Sequence, residues 1–240
     1  MKKAKVLEYE VCDTDYREIL HEIKNLILSK RKSAIISLNP NKVMLALKDG
    51  HFKGILQKMD YLIPDGTGIL LASNRTENKI KNRITGISLF DEICLNAVEI
   101  GAKIFLLGAS SEVVQATKVA LEDKYPEIII TGILDGYFEN DAIAVEMINS
   151  AHANILAVAM GSPKQEIWIS ENADKLENIN VMIGLGGAFD VISGRIKRAP
   201  NWIIKLGLEW LYRILRQPIS RFKYFVTLIR FCKVVLTQKK

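Results

Sequence analysis

The chain has 240 residues, 49% hydrophobic and 25% charged, with 15 Gly and 6 Pro. That is a globular composition, which excludes fibrous and disordered classes, and the length buries a core without disulfides or metal staples. The net charge of +6 conceals a division: residues 195–240 carry 12 Lys/Arg against the single acid Glu209, a net +11, whereas the first 194 carry 21 Lys/Arg and 26 Asp/Glu, a net −5.

The segment Met1-Lys2-Lys3-Ala4-Lys5 is basic, but Glu8 and Glu10 follow and no apolar run comes after it, so no signal peptide is expected. No stretch approaches the roughly 20 apolar residues that span a bilayer. Asp13-Thr14-Asp15 has the D-x-D form of metal-dependent sugar transferases. Placed just before a helix-period segment, it reads more simply as helix capping, because a hard cation wants several converging oxygens.

From there short apolar runs alternate with helix-period segments. Strands are predicted at 34–38, 61–63, 103–107, 128–131, 155–159 and 181–183, and helices at 15–28, 42–48, 88–100, 112–124, 142–151 and 163–172. Near-continuous apolar strands separated by helices imply a doubly wound, mostly parallel, Rossmann-like α/β sheet covered on both faces. Ligands of such sheets sit outside the carboxyl ends of the strands.

Five of those ends are chemically loaded. Ser37-Leu38-Asn39-Pro40 offers a hydroxyl and an amide, which serve a ligand or a helix cap. Pro64-Asp65-Gly66-Thr67-Gly68 offers a carboxylate between residues that permit close approach; Asp65 reads equally as a general base or as a turn and cap residue. Small residues at Gly108-Ala109-Ser110-Ser111 and Gly161-Ser162-Pro163 precede helices and suit a phosphate. Pro163 fits a first helical position, with Gln165 and Glu166 in the first turn facing the same mouth. Gly184-Leu185-Gly186-Gly187 leads to Asp190, an acceptor for a ribose or base.

Other signatures are missing. No P-loop and no complete G-x-G-x-x-G follows a strand, which weakens ATPase and dehydrogenase readings. His21, His51 and His152 match no ligand spacing. Cys12, Cys94 and Cys232 build neither a disulfide framework nor a metal pair, which favours a reducing compartment.

The charge changes sign near 195–200, so two domains are expected: 1–194 as the α/β catalytic body and 195–240 as a basic helical appendage. Two helical stretches are predicted there, roughly 202–216 and 219–236, broken at Pro218. The appendage holds seven of the 18 aromatics, Trp202, Trp210, Tyr212, Phe222, Tyr224, Phe225 and Phe231. On the second stretch Lys223, Thr227, Arg230, Lys233 and Thr237 share one stripe within an apolar circumference, the pattern of an interfacial helix. An anionic membrane surface is the expected partner; docking of the basic tail on the acidic body is the alternative. Such a tail can also drive homo-oligomer formation in solution.

In order along the chain, Ser37-Leu38-Asn39-Pro40, Pro64-Asp65-Gly66-Thr67-Gly68, Arg83-Ile84-Thr85-Gly86, Phe105-Leu106-Leu107-Gly108, Gly136-Tyr137-Phe138, Gly161-Ser162-Pro163-Lys164-Gln165-Glu166, Gly186-Gly187-Ala188-Phe189-Asp190, Lys197-Arg198-Ala199-Pro200 and Glu209-Trp210-Leu211-Tyr212-Arg213 resemble the motifs of the WecG/TagA/CpsF glycosyltransferases of bacterial cell-surface polymer synthesis. The chain is most similar to the TagA branch, the N-acetylmannosaminyltransferases of teichoic-acid linkage-unit synthesis. The resemblance implies transfer, with inversion, from a UDP-sugar donor to the C4 hydroxyl of N-acetylglucosamine on undecaprenyl diphosphate, at the cytoplasmic membrane face. No cofactor or metal is expected, because no D-x-D stands at a late strand end and the tail has cations to spare for the leaving diphosphate. UDP-N-acetylmannosamine is the implied donor; UDP-N-acetylmannosaminuronate and UDP-glucose are the alternatives.

The resemblance further implies Asp65 as catalytic base with Ser37 beside it, and Asn39, Arg83 and Gln165 lining the substrate pocket. Arg213, Arg216 and Arg221 would belong to a tail closing over the acceptor diphosphate. Gly108, Tyr137, Gly161, Gly187 and Asp190 are the nucleotide-side candidates. Ser37 stands where the family often has Thr and keeps the hydroxyl. Gln217-Pro218-Ile219-Ser220-Arg221 departs from the family pattern, leaving Arg216, Arg221 and Lys223 as candidates for the diphosphate. A nucleic-acid-binding protein using the basic tail, and another nucleotide-dependent enzyme such as a methyltransferase, are the rival readings.

Overall fold

The computed structural model of the chain describes residues 1–76, 78–216 and 218–237, with the side chains at 201, 205, 213 and 218–221 also outside the description. It opens on an element that the charge pattern hid: β1 (Lys2–Val6) and β2 (Tyr9–Asp13) form an antiparallel hairpin. Ala4 and Val6 point into the core while Lys2, Lys3 and Lys5 face out, the lysine guard that keeps an edge strand from pairing with other chains.

Six strands follow: β3 (Ser33–Leu38), β4 (Tyr61–Pro64), β5 (Lys103–Gly108), β6 (Ile129–Leu134), β7 (Ile155–Ala159) and β8 (Val181–Gly184). They run parallel, and the eight strands are ordered β1-β2-β4-β3-β8-β7-β5-β6. Every predicted strand is present in the expected doubly wound arrangement. The last strand, β8, lies between β3 and β7, so the loop leaving it reaches both halves of the sheet.

Helices connect the strands: α1 (Tyr16–Leu28), α2 (Pro40–Ala46), α3 (Gly50–Lys58), α4 (Thr67–Ser73), α5 (Gly86–Leu95), α6 (Ala97–Ile100), α7 (Ser111–Lys124), α8 (Asp141–Ser150), α9 (Lys164–Asn172) and α10 (Ala188–Ile192). In α1, Ile19, Ile23 and Leu26 recur at helical spacing and are buried, and the Asp15 side chain accepts from the Glu18 N–H. Alternate residues of one strand feed opposite cores. Ile104 and Leu106 pack with α1, α5 and α7, whereas Phe105 and Leu107 pack on the side of α2, α3, α8 and α9.

The chain ends in α11 (Asn201–Lys205), α12 (Glu209–Arg216) and α13 (Pro218–Thr237). The two predicted helical stretches are thus three helices, because Gly207 takes a left-handed φ of +74° between α11 and α12. α13 packs on α2 and α4. Phe231, 1% exposed, and Val235 enter the core on that side, where each buried side chain contributes about 1.5–3 kcal/mol. This contact is apolar, so the docking of tail on body is not a matter of opposite charge alone. Among the described residues no helix is long and apolar enough to cross a membrane.

Candidate active site

The carboxyl ends of β3, β4 and β8 border a first cavity of about 220 Å³. Ser37 and Asn39 reach it from β3, Asp65 and Gly66 from β4, and Leu185 and Gly187 from the loop after β8. The Asp65 N–H donates to the Leu38 carbonyl at 2.9 Å and the Ile84 N–H to the Pro64 carbonyl at 3.0 Å, so three chain segments are tied together at the carboxylate. Asn39 caps α2, its Oδ1 accepting from the Lys42 N–H at 3.0 Å, which leaves its amide NH₂ as donor toward a ligand.

Arg83 and Thr85 complete the body side of this cavity, and Glu209, Trp210 and Tyr224 arrive from α12 and α13. Arg83 Nη2 donates to the Ile204 carbonyl at 2.6 Å, so a pocket arginine also holds the start of the tail. The cavity therefore carries two carboxylates, Asp65 and the buried Glu209, with a guanidinium beside them.

A second cavity, of about 300 Å³, lies at the ends of β5, β6, β7 and β8. Its wall includes Gly136, Tyr137, Gly161, Lys164, Gly187 and Asp190. Gly187 lines both cavities, so the two adjoin along the strand ends as neighbouring parts of a trench-like row. Lys164 Nζ donates to the Gly136 carbonyl at 2.7 Å and lies 6.0 Å from the Tyr137 ring centroid; two of its three N–H donors remain for an anion. Tyr137 is 77% exposed and offers an open aromatic face. Asp190 meets Arg195 at 3.8 Å, and both line a further recess with Ser110 and Tyr137.

Most sequence-predicted residues are thus brought to this trench: Ser37, Asn39, Asp65 and Arg83 at one end, and Tyr137, Gly161, Gly187 and Asp190 at the other. Four sit elsewhere. Gly108 lines neither cavity; at φ +129° a Cβ there would stand 2.5 Å from the Ala159 backbone, so its glycine is explained by strand packing. Gln165 and Glu166, expected to face the mouth, are 1% and 0% exposed and point into the body. The reason is that their polar ends find partners inside. Arg216 is exposed and stacks on Tyr212, with its Nε 3.2 Å from the Tyr212 hydroxyl. The side chains of Arg213 and Arg221 lie outside the described residues.

Lys164, Thr85, Glu209, Trp210 and Tyr224 were not singled out from sequence as site residues. Lys164 had a signal, since it directly follows the Gly161-Ser162-Pro163 turn. Glu209 and Trp210 had none beyond their motif and Tyr224 had none at all, because only tertiary packing brings them over β3 and β4.

Asp13 and Asp15 point to backbone donors: Asp13 Oδ1 accepts from the Lys81 N–H at 3.0 Å, and Asp15 caps α1. Among the described residues no three His, Cys, Asp or Glu side chains converge as metal ligands do. Burial pushes the Cys94 thiol up to about 12 and raises that of Cys12, so neither is a reactive thiolate at neutral pH; Cys232 is exposed on α13.

On α13 the solvent side is apolar as well. Phe222, Phe225, Ile229 and Leu236 are exposed and, with Cys232, recur at alternating spacings of three and four, the rhythm of one helix face. Lys223, Arg230 and Lys233 flank that stripe, all exposed.

The family model for the Glycosyl transferase WecG/TagA/CpsF family matches residues 4–240. A protein of Bacillus subtilis (strain 168) named N-acetylglucosaminyldiphosphoundecaprenol N-acetyl-beta-D-mannosaminyltransferase is 36% identical over 217 residues, 90% of this chain and 84% of that protein. One of the same name from Staphylococcus aureus (strain MW2) is 35% identical over 227 residues, 92% of this chain and 88% of its own length. A third so named, from Bacillus spizizenii, is 28% identical over 241 residues, 100% of this chain and 93% of its own length.

Proposed function

Because this chain belongs to the WecG/TagA/CpsF family of glycosyltransferases, we propose that it transfers N-acetylmannosamine from UDP-N-acetylmannosamine to the C4 hydroxyl of N-acetylglucosamine-diphospho-undecaprenol, with inversion. The observation that carries this reading is the trench-like row: a carboxylate at Asp65 and a lysine at Lys164 line adjoining cavities that share Gly187. The acceptor sugar occupies the Asp65 cavity and the nucleotide the Lys164 cavity. Tyr137 gives the uracil a stacking face, Asp190 accepts from the ribose, and the Lys164 ammonium meets the diphosphate.

Asp65 takes the proton from the acceptor hydroxyl as that oxygen attacks the anomeric carbon from the face opposite UDP. The bond from that carbon to the diphosphate oxygen breaks, its electron pair leaves with UDP, and Lys164 steadies the charge that develops there. Ser37 and the Asn39 amide hold the acceptor hydroxyls. Arg83 and the arginines of 195–240 hold the acceptor diphosphate. The alternating apolar and cationic stripes of α13 support docking on an anionic membrane, which would bring a lipid-linked acceptor to the cavity that α12 and α13 line. The body 1–194 then acts as catalytic domain and 195–240 as its membrane appendage, working peripherally on the inner membrane face.

Product analysis tests the reading: wild-type protein is supplied with UDP-N-acetylmannosamine and a short-chain N-acetylglucosamine-diphospho-lipid, in parallel with UDP-N-acetylmannosaminuronate and UDP-glucose. A disaccharide lipid formed fastest from the first donor is expected; preference for another donor moves the substrate and leaves the reaction class. UDP, and neither S-adenosylmethionine nor an oligonucleotide, should raise the melting temperature.

A further inference from the structure

The buried polar groups under the trench belong to no substrate contact, yet they are joined end to end. Lys42 on α2 is 4% exposed, and its Nζ lies 2.8 Å from Glu166 Oε1. Glu166 also accepts from the Ser162 hydroxyl at 2.7 Å through Oε2, and from Gln165 Nε2 at 2.7 Å through Oε1. The other end of the Gln165 amide, Oε1, accepts from the Gly186 N–H at 2.8 Å. The line starts one turn from Asn39, in the wall of the Asp65 cavity. It ends on the loop whose next residue, Gly187, lines both cavities.

Gly184 shows what this route requires. At the end of β8, between β3 and β7, a Cβ would stand 2.8 Å from Gln165 Nε2 and 2.8 Å from Ile36 Cδ1. The amide crosses the sheet end through the space that the missing side chain leaves.

We propose that Lys42, Glu166 and Gln165 form a buried strut of positioning residues that fixes the Gly186–Gly187 loop on the nucleotide side of the trench. The proposal rests on the reading of the Lys164 cavity as the nucleotide site. Gln165 acts without touching substrate: both ends of its amide are engaged and it lies behind the wall. The ion pair sets the orientation of Glu166, and Glu166 determines which end of the amide faces Gly186. A Gln165 that has lost Glu166 can flip its amide and present NH₂ to an N–H, leaving the Gly186 donor unpaired.

The test is a coupling cycle on the full chain, read as UDP affinity by calorimetry and as KM for donor and for short-chain acceptor. Gln165→Leu cuts the link at the loop. Lys42→Met with Glu166→Met removes the ion pair and the acceptor for Gln165 Nε2 together, without stranding a buried charge. Each should weaken UDP binding and raise donor KM about 10-fold, while acceptor KM stays within about twofold. Combining all three changes should cost about the same 10-fold, because groups acting through one link are not additive.

An additive loss of about 100-fold, an unchanged UDP affinity in either arm, or equal rises in both KM values would overturn the strut. Gly184→Ala keeps every polar side chain while crowding the Gln165 amide. It should reproduce the donor-side defect, and it carries the test if another variant does not fold. A wild-type chain that binds no uridine nucleotide sinks both this inference and the nucleotide reading; wild-type binding matched by all variants sinks the strut alone.

Discussion

The two ends of the trench are built from opposite materials. At the β3–β4 end the wall is made of side chains that accept protons or fix hydroxyls, Asp65, Ser37 and Asn39, and it is completed by Glu209, Trp210 and Tyr224 from outside the sheet. At the β5–β7 end the wall is largely glycine and alanine backbone, with the open ring of Tyr137, the buried ring of Phe189, the Asp190 carboxylate and one ammonium, Lys164. The first is suited to chemistry on a neutral hydroxyl and draws part of its wall from the tail. The second is suited to an anion and is fixed by the body alone. A reaction that joins a lipid-borne alcohol to a nucleotide-borne sugar needs that asymmetry.

Asp65→Asn separates the ends most sharply. The substitution keeps the shape and removes the proton acceptor, so the transfer rate should fall about 10²–10⁴-fold with UDP affinity nearly intact. A variant turning over at the wild-type rate would remove Asp65 from the role of base. Lys164→Ala is the mirror experiment: the loss of a charge-assisted contact should weaken UDP binding about 10-fold to 100-fold. Acceptor KM should hardly move. A rise in acceptor KM instead would mean that the diphosphate at Lys164 belongs to the lipid.

How much of this asymmetry was legible in sequence depends on where its residues come from. The six parallel strands, and Ser37, Asn39 and Asp65 as candidates at their ends, were readable because apolar runs and the loops that end them are local features; Arg83 came only through the resemblance of its motif. The β1–β2 hairpin was not, although Ala4 and Val6 alternate with lysines. Its turn is made by Leu7 at φ 57°, a residue that carries no turn signal. Gln165 was placed at the mouth because sequence gives a helical turn but not its inward side. On α9 that side is polar: Gln165, Glu166 and Asn172 are buried beside Trp168 and Ile169, and a hydrophobic pattern cannot announce a buried polar face. Glu209, Trp210 and Tyr224 needed the packing of Phe231 against the body, a contact that joins residues more than 160 apart in sequence (Phe231 beside Gly68).

The tail can be tested on its two faces without cutting it off, which would strip Phe231 and Val235 from the core. Phe225→Glu with Ile229→Glu alters only the exposed stripe. Binding to anionic vesicles should drop about 10-fold or more, since two apolar contacts are lost and two anions face the leaflet. Activity on a water-soluble acceptor should remain. Cys232, on the same stripe, is a built-in reporter: with Cys12 and Cys94 buried, a maleimide should label it selectively at neutral pH, and vesicles should slow that labelling. Unchanged labelling with vesicles bound would place the membrane contact on another surface.

The smallest effect is expected where neither end of the trench is touched. Asp15 follows the strand β2, one strand in from the β1 edge of the sheet, and accepts from the Glu18 N–H at 2.8 Å. Asp15→Ala should therefore cost about 1 kcal/mol of stability, seen as a modest fall in melting temperature, with kcat and both KM values unchanged. The competing reading makes Asp13-Thr14-Asp15 a metal-binding D-x-D. It predicts the reverse: a large loss of activity with little change in stability, and a wild-type enzyme silenced by EDTA and revived by Mn²⁺ or Mg²⁺. In the arrangement described, Asp13 is engaged by the Lys81 N–H and no third carboxylate joins the pair among the described residues, while the proposed reaction assigns the charge on the leaving diphosphate to Lys164. EDTA should accordingly leave the transfer rate as it was, and a metal-restored activity would shift charge stabilisation away from Lys164.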